Sequence, residues 1–153
     1  MVETILAWAD LDTGISRLIL LMFGLEDDAG SILIGNMDLK TKVERLKLLN
    51  DHHGYTGGAA SLGQLITSMR HYSASRNTLA HRKHIGRMKS QPTRLVFLSS
   101  RHVKGSPGRF EILCIDHSEF IASAKFARDA AVKIGAMIER IEGRRNDGGD
   151  GGA

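Results

Sequence analysis

The sequence predicts a mainly α-helical domain carrying a small β-hairpin. Apolar residues recur at three- and four-residue spacing in four stretches, the signature of amphipathic helices. Two runs rich in β-branched and apolar residues, Thr93–Ser100 and Arg109–Asp116, flank the turn-forming segment Lys104-Gly105-Ser106-Pro107-Gly108. A length of 153 residues fits one domain, since two independent cores would each be small.

The first helix is expected over Val2–Phe23. Ile5, Trp8, Leu11, Ile15, Leu18, Ile19 and Met22 form one apolar stripe, and Gly24 is a plausible stop. Leu25–Asn36 is acidic and then apolar around Ile32–Ile34, with Gly30 and Gly35; it reads as a loop with a short strand or turn. Asn36 or Asp38 can cap a second helix to about Asn50, with Leu39, Val43 and Leu46 inward. His52-His53-Gly54-Tyr55-Thr56-Gly57-Gly58 is a loop by composition.

A third helical region is expected from about Ala59 to Gly86, through Leu62, Leu65, Ile66, Met69, Tyr72, Leu79 and Ala80. Ser73-Ala74-Ser75 permits either one bent helix or a second helix capped by Ser75, and the sequence leaves both open. Gln91-Pro92 ends this region, because the residue before a proline disfavours helix. The hairpin follows and must pack on the helices or on a second chain, since an isolated hairpin is marginal in water. The last helix is expected over Ser118–Glu142, with Ser118 as its cap. Phe120, Ala124, Ala127, Ala131, Ile134, Ile138 and Ile141 form a narrow seam facing the core or a partner subunit. Residues 1–142 thus form one domain, and the tail 143–153, with five glycines, is expected to be disordered.

Hydrophobic residues at 42% and charged residues at 25% exclude a chain too polar to fold. The single cysteine, Cys114, excludes an intramolecular disulfide; within Ile112–Ile115 it is expected to be a buried core thiol, and cysteine use fits a reducing compartment. No run of about 18 apolar residues is present, so no membrane partner is expected. Glu3, Asp10 and Asp12 stand where a secretion signal would be basic, and a cytoplasmic location is expected.

The net charge of +4 is unevenly spread. Residues 1–51 hold nine acids and five Lys/Arg, and residues 111–153 hold eight acids and six Lys/Arg. Residues 52–110 hold no Asp or Glu, ten Lys/Arg and six of the seven histidines. A basic middle between acidic ends predicts a positive face for a polyanion, unless the fold scatters these charges.

Within that middle, residues can be placed on a helical wheel at about 100° each, with Arg76 at zero. Asn77 falls near 100°, His81 near 140°, His84 near 80°, Arg70 near 120° and Ser73 near 60°, all by that same rule, so these five share a polar stripe. Arg76 lies off it, amid Leu65, Met69, Leu79 and Ala80, and its long side chain can reach toward a phosphate beside His81.

Arg76-Asn77-Thr78-Leu79-Ala80-His81 resembles the signature of HEPN domains: an arginine, a polar residue, and a histidine after four to six intervening residues. The resemblance rests mainly on Leu62–Gly86. It implies an HEPN-like antiparallel helical bundle acting as a homodimer, in which two motif helices meet across a two-fold axis. It also implies metal-independent RNA cleavage by 2′-hydroxyl attack, leaving 2′,3′-cyclic phosphate ends. His81 would then transfer protons, since an imidazole gives and takes them near neutral pH. Arg76 would stabilise phosphoryl charge, and Asn77 would orient His81 or a phosphate. Arg70, Arg82, Lys83, His84 and Arg87 are the expected RNA contacts, salt-sensitive and blind to sequence. Toxins of the family are often held by a cognate antitoxin such as a minimal nucleotidyltransferase. The alternative is a non-catalytic helical homodimer that binds RNA or a regulatory protein.

Other chemistries are poorly supplied. His81 and His84, with His71 or the His52–His53 pair, lack nearby carboxylates and thiols, so neither a metal site nor a cofactor is expected. Asp116-His117 with Ser118 or Ser123 lacks the Gly-x-Ser-x-Gly of a hydrolase elbow, and Gly54–Gly63 lacks the Gly-Lys-Ser/Thr of a phosphate loop. Two tyrosines, one tryptophan and five phenylalanines argue against an aromatic stacking platform.

Overall fold

A computed structural model describes residues 1–54, 56–103 and 106–147. The elements run α1 (Val2–Phe23), α2 (Asp27–Ile34), α3 (Leu39–His52), α4 (Thr56–His81), β1 (Arg82–Arg87), β2 (Arg94–Val103), β3 (Ser106–Asp116) and α5 (His117–Asp147). The mainly helical class therefore holds, with a three-stranded sheet in place of the expected two-stranded hairpin.

α1 ends at Gly24, whose φ of 65° and ψ of 31° place it in the left-handed region that glycine reaches without steric cost. Asp38 caps α3: its carboxylate accepts from the Thr41 N–H at 2.7 Å, satisfying one of the donors left unpaired at a helix start. Leu25–Asn36 is not a loop with a strand or turn. Its middle is the short helix α2, which crosses close to α1, so that a Cβ on Gly30 would lie within 1.9 Å of Leu20 Cδ2. Thr56-Gly57-Gly58, expected in a loop, are the first residues of α4.

α1, α3, α4 and α5 enclose the main core: Trp8, Leu11, Ile15, Leu18, Ile19, Val43, Leu46, Leu62, Met69, Ala124, Ala127, Ile134 and Ile138. The small-residue seam of α5 faces this core. A Cβ on Gly14 would stand 3.2 Å from Ile134 Cγ2, so α1 and α5 lie very close. The bundle is not antiparallel throughout. Thr4 Oγ1 donates to the Phe120 carbonyl, Trp8 Nε1 to Ser123 Oγ, and Arg17 Nη2 to Glu142 Oε1, so α1 and α5 run side by side in the same direction. The sheet is inserted between α4 and α5, and α5 begins at the end of the bundle where α4 finishes.

The strand order is β1-β2-β3, antiparallel throughout. Leu95, Phe97 and Ile115 are buried against Phe120, with Leu79 and Leu113 packed beside them. This second core seats one face of the sheet on the end of α4 and the start of α5. Cys114 is exposed rather than buried: its neighbours Leu113 and Ile115 face the helices, and strand alternation turns Cys114 outward. The cap of α5 is Asp116, not Ser118. Its Oδ1 accepts from the Ser118 N–H at 2.9 Å, while Glu119 Oε1 accepts from the Asp116 N–H at 3.4 Å, a reciprocal capping box. Residues 143–147 of the expected disordered tail continue α5. Lys104 and Gly105 of the expected turn, and residues 148–153, lie outside the described residues.

Candidate functional site

The two cores decide which motif residues reach solvent. α4 is a single helix from Thr56 to His81, and its inward face shifts along its length. Near the start, Leu62 and Met69 enter the bundle; near the end, Thr78 is buried and Leu79 packs against the sheet-side core. The opposite side of the last turns is therefore exposed: Arg76, Asn77, Ala80 and His81. Arg76 does not sit among apolar neighbours as the wheel suggests, because the helix end packs on the sheet rather than on the bundle.

Arg76 Nη1 donates to Asn77 Oδ1 at 3.1 Å. His81 lies one helical turn beyond Asn77, rotated by about 40° and advanced by about 6 Å along the axis. The two share a flank, with Arg76 next to Asn77 and about one and a half turns before His81. Arg70 is exposed on the same helix, nearly two turns earlier. Thr78, the residue inside the motif that turns away, donates its hydroxyl to the Ala74 carbonyl at 3.0 Å and leaves no hydroxyl on the exposed side.

Arg82, Lys83, His84 and Arg87 are not on the helix. α4 ends at His81 and β1 starts at the next residue, so the wheel position of His84 beside Asn77 does not exist. Backbone pairing with β2 overrides the helical reading: Arg82 pairs with Ser99, Lys83 with Leu98, His84 with Phe97 and Arg87 with Leu95. The His84 ring instead lies 5.3 Å from that of Phe97. Arg82 Nη2 donates to Glu111 Oε2 of β3 at 2.7 Å; its Nη1 is buried without an acceptor.

Sequence reasoning did not find Glu111, the first acid after the basic stretch, as the partner of Arg82. The alternation of β3 carries a signal for it, since Glu111 falls in phase with Leu113 and Ile115. It also did not find the polar chain behind the motif. Trp8 Nε1 donates to Ser123 Oγ at 2.9 Å, and Ser123 Oγ donates to the Tyr72 carbonyl at 3.0 Å. No local pattern signals contacts so distant in sequence. Among the described residues, no three His, Cys, Asp or Glu side chains gather as metal ligands, and no helix is long and apolar enough to cross a membrane.

Comparison with known protein families, with curated proteins and with solved structures gives no match.

Proposed function

We propose that this chain is a metal-independent endoribonuclease of the HEPN type, working as a homodimer on RNA. The observation that carries the reading is the common exposure of Arg76, Asn77 and His81 on the last turns of α4, with the Arg76 guanidinium bonded to the Asn77 amide. A second copy of the helix, laid across this side about a two-fold axis, would bring two such sets into one cleft. The surrounding segment 52–110 holds no carboxylate in its sequence, and Glu111, the next acid along the chain, is bound to Arg82.

In this reading the RNA 2′-oxygen attacks the adjacent phosphorus and its proton passes to His81. The bond from phosphorus to the 5′-oxygen breaks, and that oxygen takes the proton back from the His81 imidazolium. The products are a 2′,3′-cyclic phosphate and a 5′-hydroxyl. Arg76 offers forked donors to the phosphoryl oxygens as their charge grows, and Asn77 holds the guanidinium in place. A toxin role, restrained by a nucleotidyltransferase antitoxin, belongs to the same proposal.

The test is incubation of the purified protein with RNA in EDTA, followed by mapping of product ends. Cyclic phosphate and 5′-hydroxyl ends are expected. A strict need for a divalent cation, or 5′-phosphate ends, contradicts the chemistry. Binding of RNA without any cutting favours the non-catalytic module.

A further inference from the structure

We propose that the inner margin of the sheet along β1 is a binding track for an RNA phosphate backbone, leading away from His81, with His84 and Arg87 as its exposed contacts. The sheet lies outside the six-residue motif, and the ligand class alone rests on the ribonuclease reading.

Four observations place the track. β1 begins directly after His81, and its six residues extend over about 20 Å at roughly 3.3 Å each. With strand order β1-β2-β3, β1 is an edge, so among the described residues one side of it has no neighbouring strand. Residues directly opposite one another in a ladder share a face. Leu95 and Phe97 are buried, at 2% and 1% exposure, so their partners Arg87 and His84 are on the helix-facing side, as is Arg82, two residues before His84.

The position of Arg87 depends on a β-bulge. His84 pairs with Phe97 and Gly86 with Val96, so Ile85 is an extra residue without an opposite number. Gly86 takes a φ of 145°, which an L side chain rarely adopts. In an unbulged ladder Arg87 would stand opposite Arg94 on the outer face, and two like charges would meet. The bulge moves Arg87 onto the side of His84 instead.

The electrostatics agree. Lys83 pairs with Leu98 and faces the other side of the sheet. Glu111, the nearest acid in sequence, is bound to Arg82 and fixes the head of the track beside His81. Among the described residues no ion pair uses Arg87, whose Nη1 makes one long bond to the Pro92 carbonyl at 3.4 Å. The Arg87 guanidinium, with the His84 imidazole beside it on a strand edge, suits a backbone that lies along it.

The experiment measures binding of a single-stranded 2′-O-methyl oligouridine, which lacks the attacking hydroxyl and cannot be cut by this chemistry. Fluorescence anisotropy across a salt series is recorded for the full chain, with circular dichroism to confirm folding. Arg87→Gln is expected to flatten the log–log salt slope by about 0.7, the value for one lost phosphate contact on a single strand. Arg94→Gln, on the outer face of β2, is expected to leave the slope unchanged. Equal flattening by both variants, no flattening by Arg87→Gln, or no binding by wild type overturns the track. Binding of this pattern by a protein that never cuts RNA keeps the track and refutes the nuclease instead.

Discussion

The Ser123 hydroxyl donates to the Tyr72 carbonyl at 3.0 Å, which ties α5 to the turn of α4 just ahead of Arg76. Ser123 is fully buried and also accepts from Trp8 Nε1. The Tyr72 ring stacks on Phe126 at 4.8 Å with an 18° interplanar angle. One hydroxyl therefore joins three helices behind the motif. Ser123→Ala leaves the Trp8 N–H buried without its acceptor, and a loss of about 2 kcal/mol is expected. Denaturant unfolding checks this, and an unchanged midpoint contradicts it.

A second buried connection is ionic. Lys42 Nζ lies 2.9 Å and 3.1 Å from the two oxygens of Asp12, with the lysine side chain 6% exposed and the aspartate 42%. Asp12→Ala strands a buried ammonium and should cost about 3 kcal/mol, the low end for a broken buried pair because solvent reaches one partner. Lys42→Met removes the buried charge itself and should cost less, about 1 kcal/mol. Unfolding midpoints in the reverse order contradict this account.

Acid should loosen the start of α5. The Asp116 carboxylate accepts from the Ser118 hydroxyl, the Ser118 N–H and the Thr93 hydroxyl, which together hold it below its ordinary value of 3.8. A carboxyl lowered by folding stabilises the fold above its unfolded value, and that contribution fades as pH falls through the lower folded value. Asp116→Asn keeps an acceptor at the cap but cannot titrate. Stability should therefore fall more steeply below pH 3.8 in wild type than in the variant. Equal slopes in acid-unfolding curves contradict this.

The long helices were legible because their apolar residues repeat over many turns, as in Leu11, Ile15, Leu18 and Ile19. Gly24 and Asp38 marked boundaries through chemistry local to the chain. α2 was not legible: Ile32–Ile34 is too short a run to show a period, and Gly30 reads as a loop residue until its close approach to Leu20 is known. Arg82–Gly86 reads as helix because it follows Leu79 and Ala80 without a breaker, yet it belongs to β1. Only pairing with Leu95–Ser99, a dozen residues later, makes it a strand. For the candidate site, the motif was visible in the sequence, but its exposure was not. The sheet-side core around Leu79 and Phe120 turns Arg76 outward, and the bulge at Ile85 decides which face Arg87 shares with His84.

The ribonuclease reading turns on His81, whose exposed side chain can be truncated without opening either core. Cleavage of RNA in EDTA by wild type and by His81→Ala, matched by circular dichroism and unfolding midpoint, tests it most directly. The expected result is cyclic phosphate products from wild type and a loss of at least about 100-fold in rate for the variant, the scale of a lost general acid–base group. Cutting by a folded His81→Ala protein at the wild-type rate would contradict it.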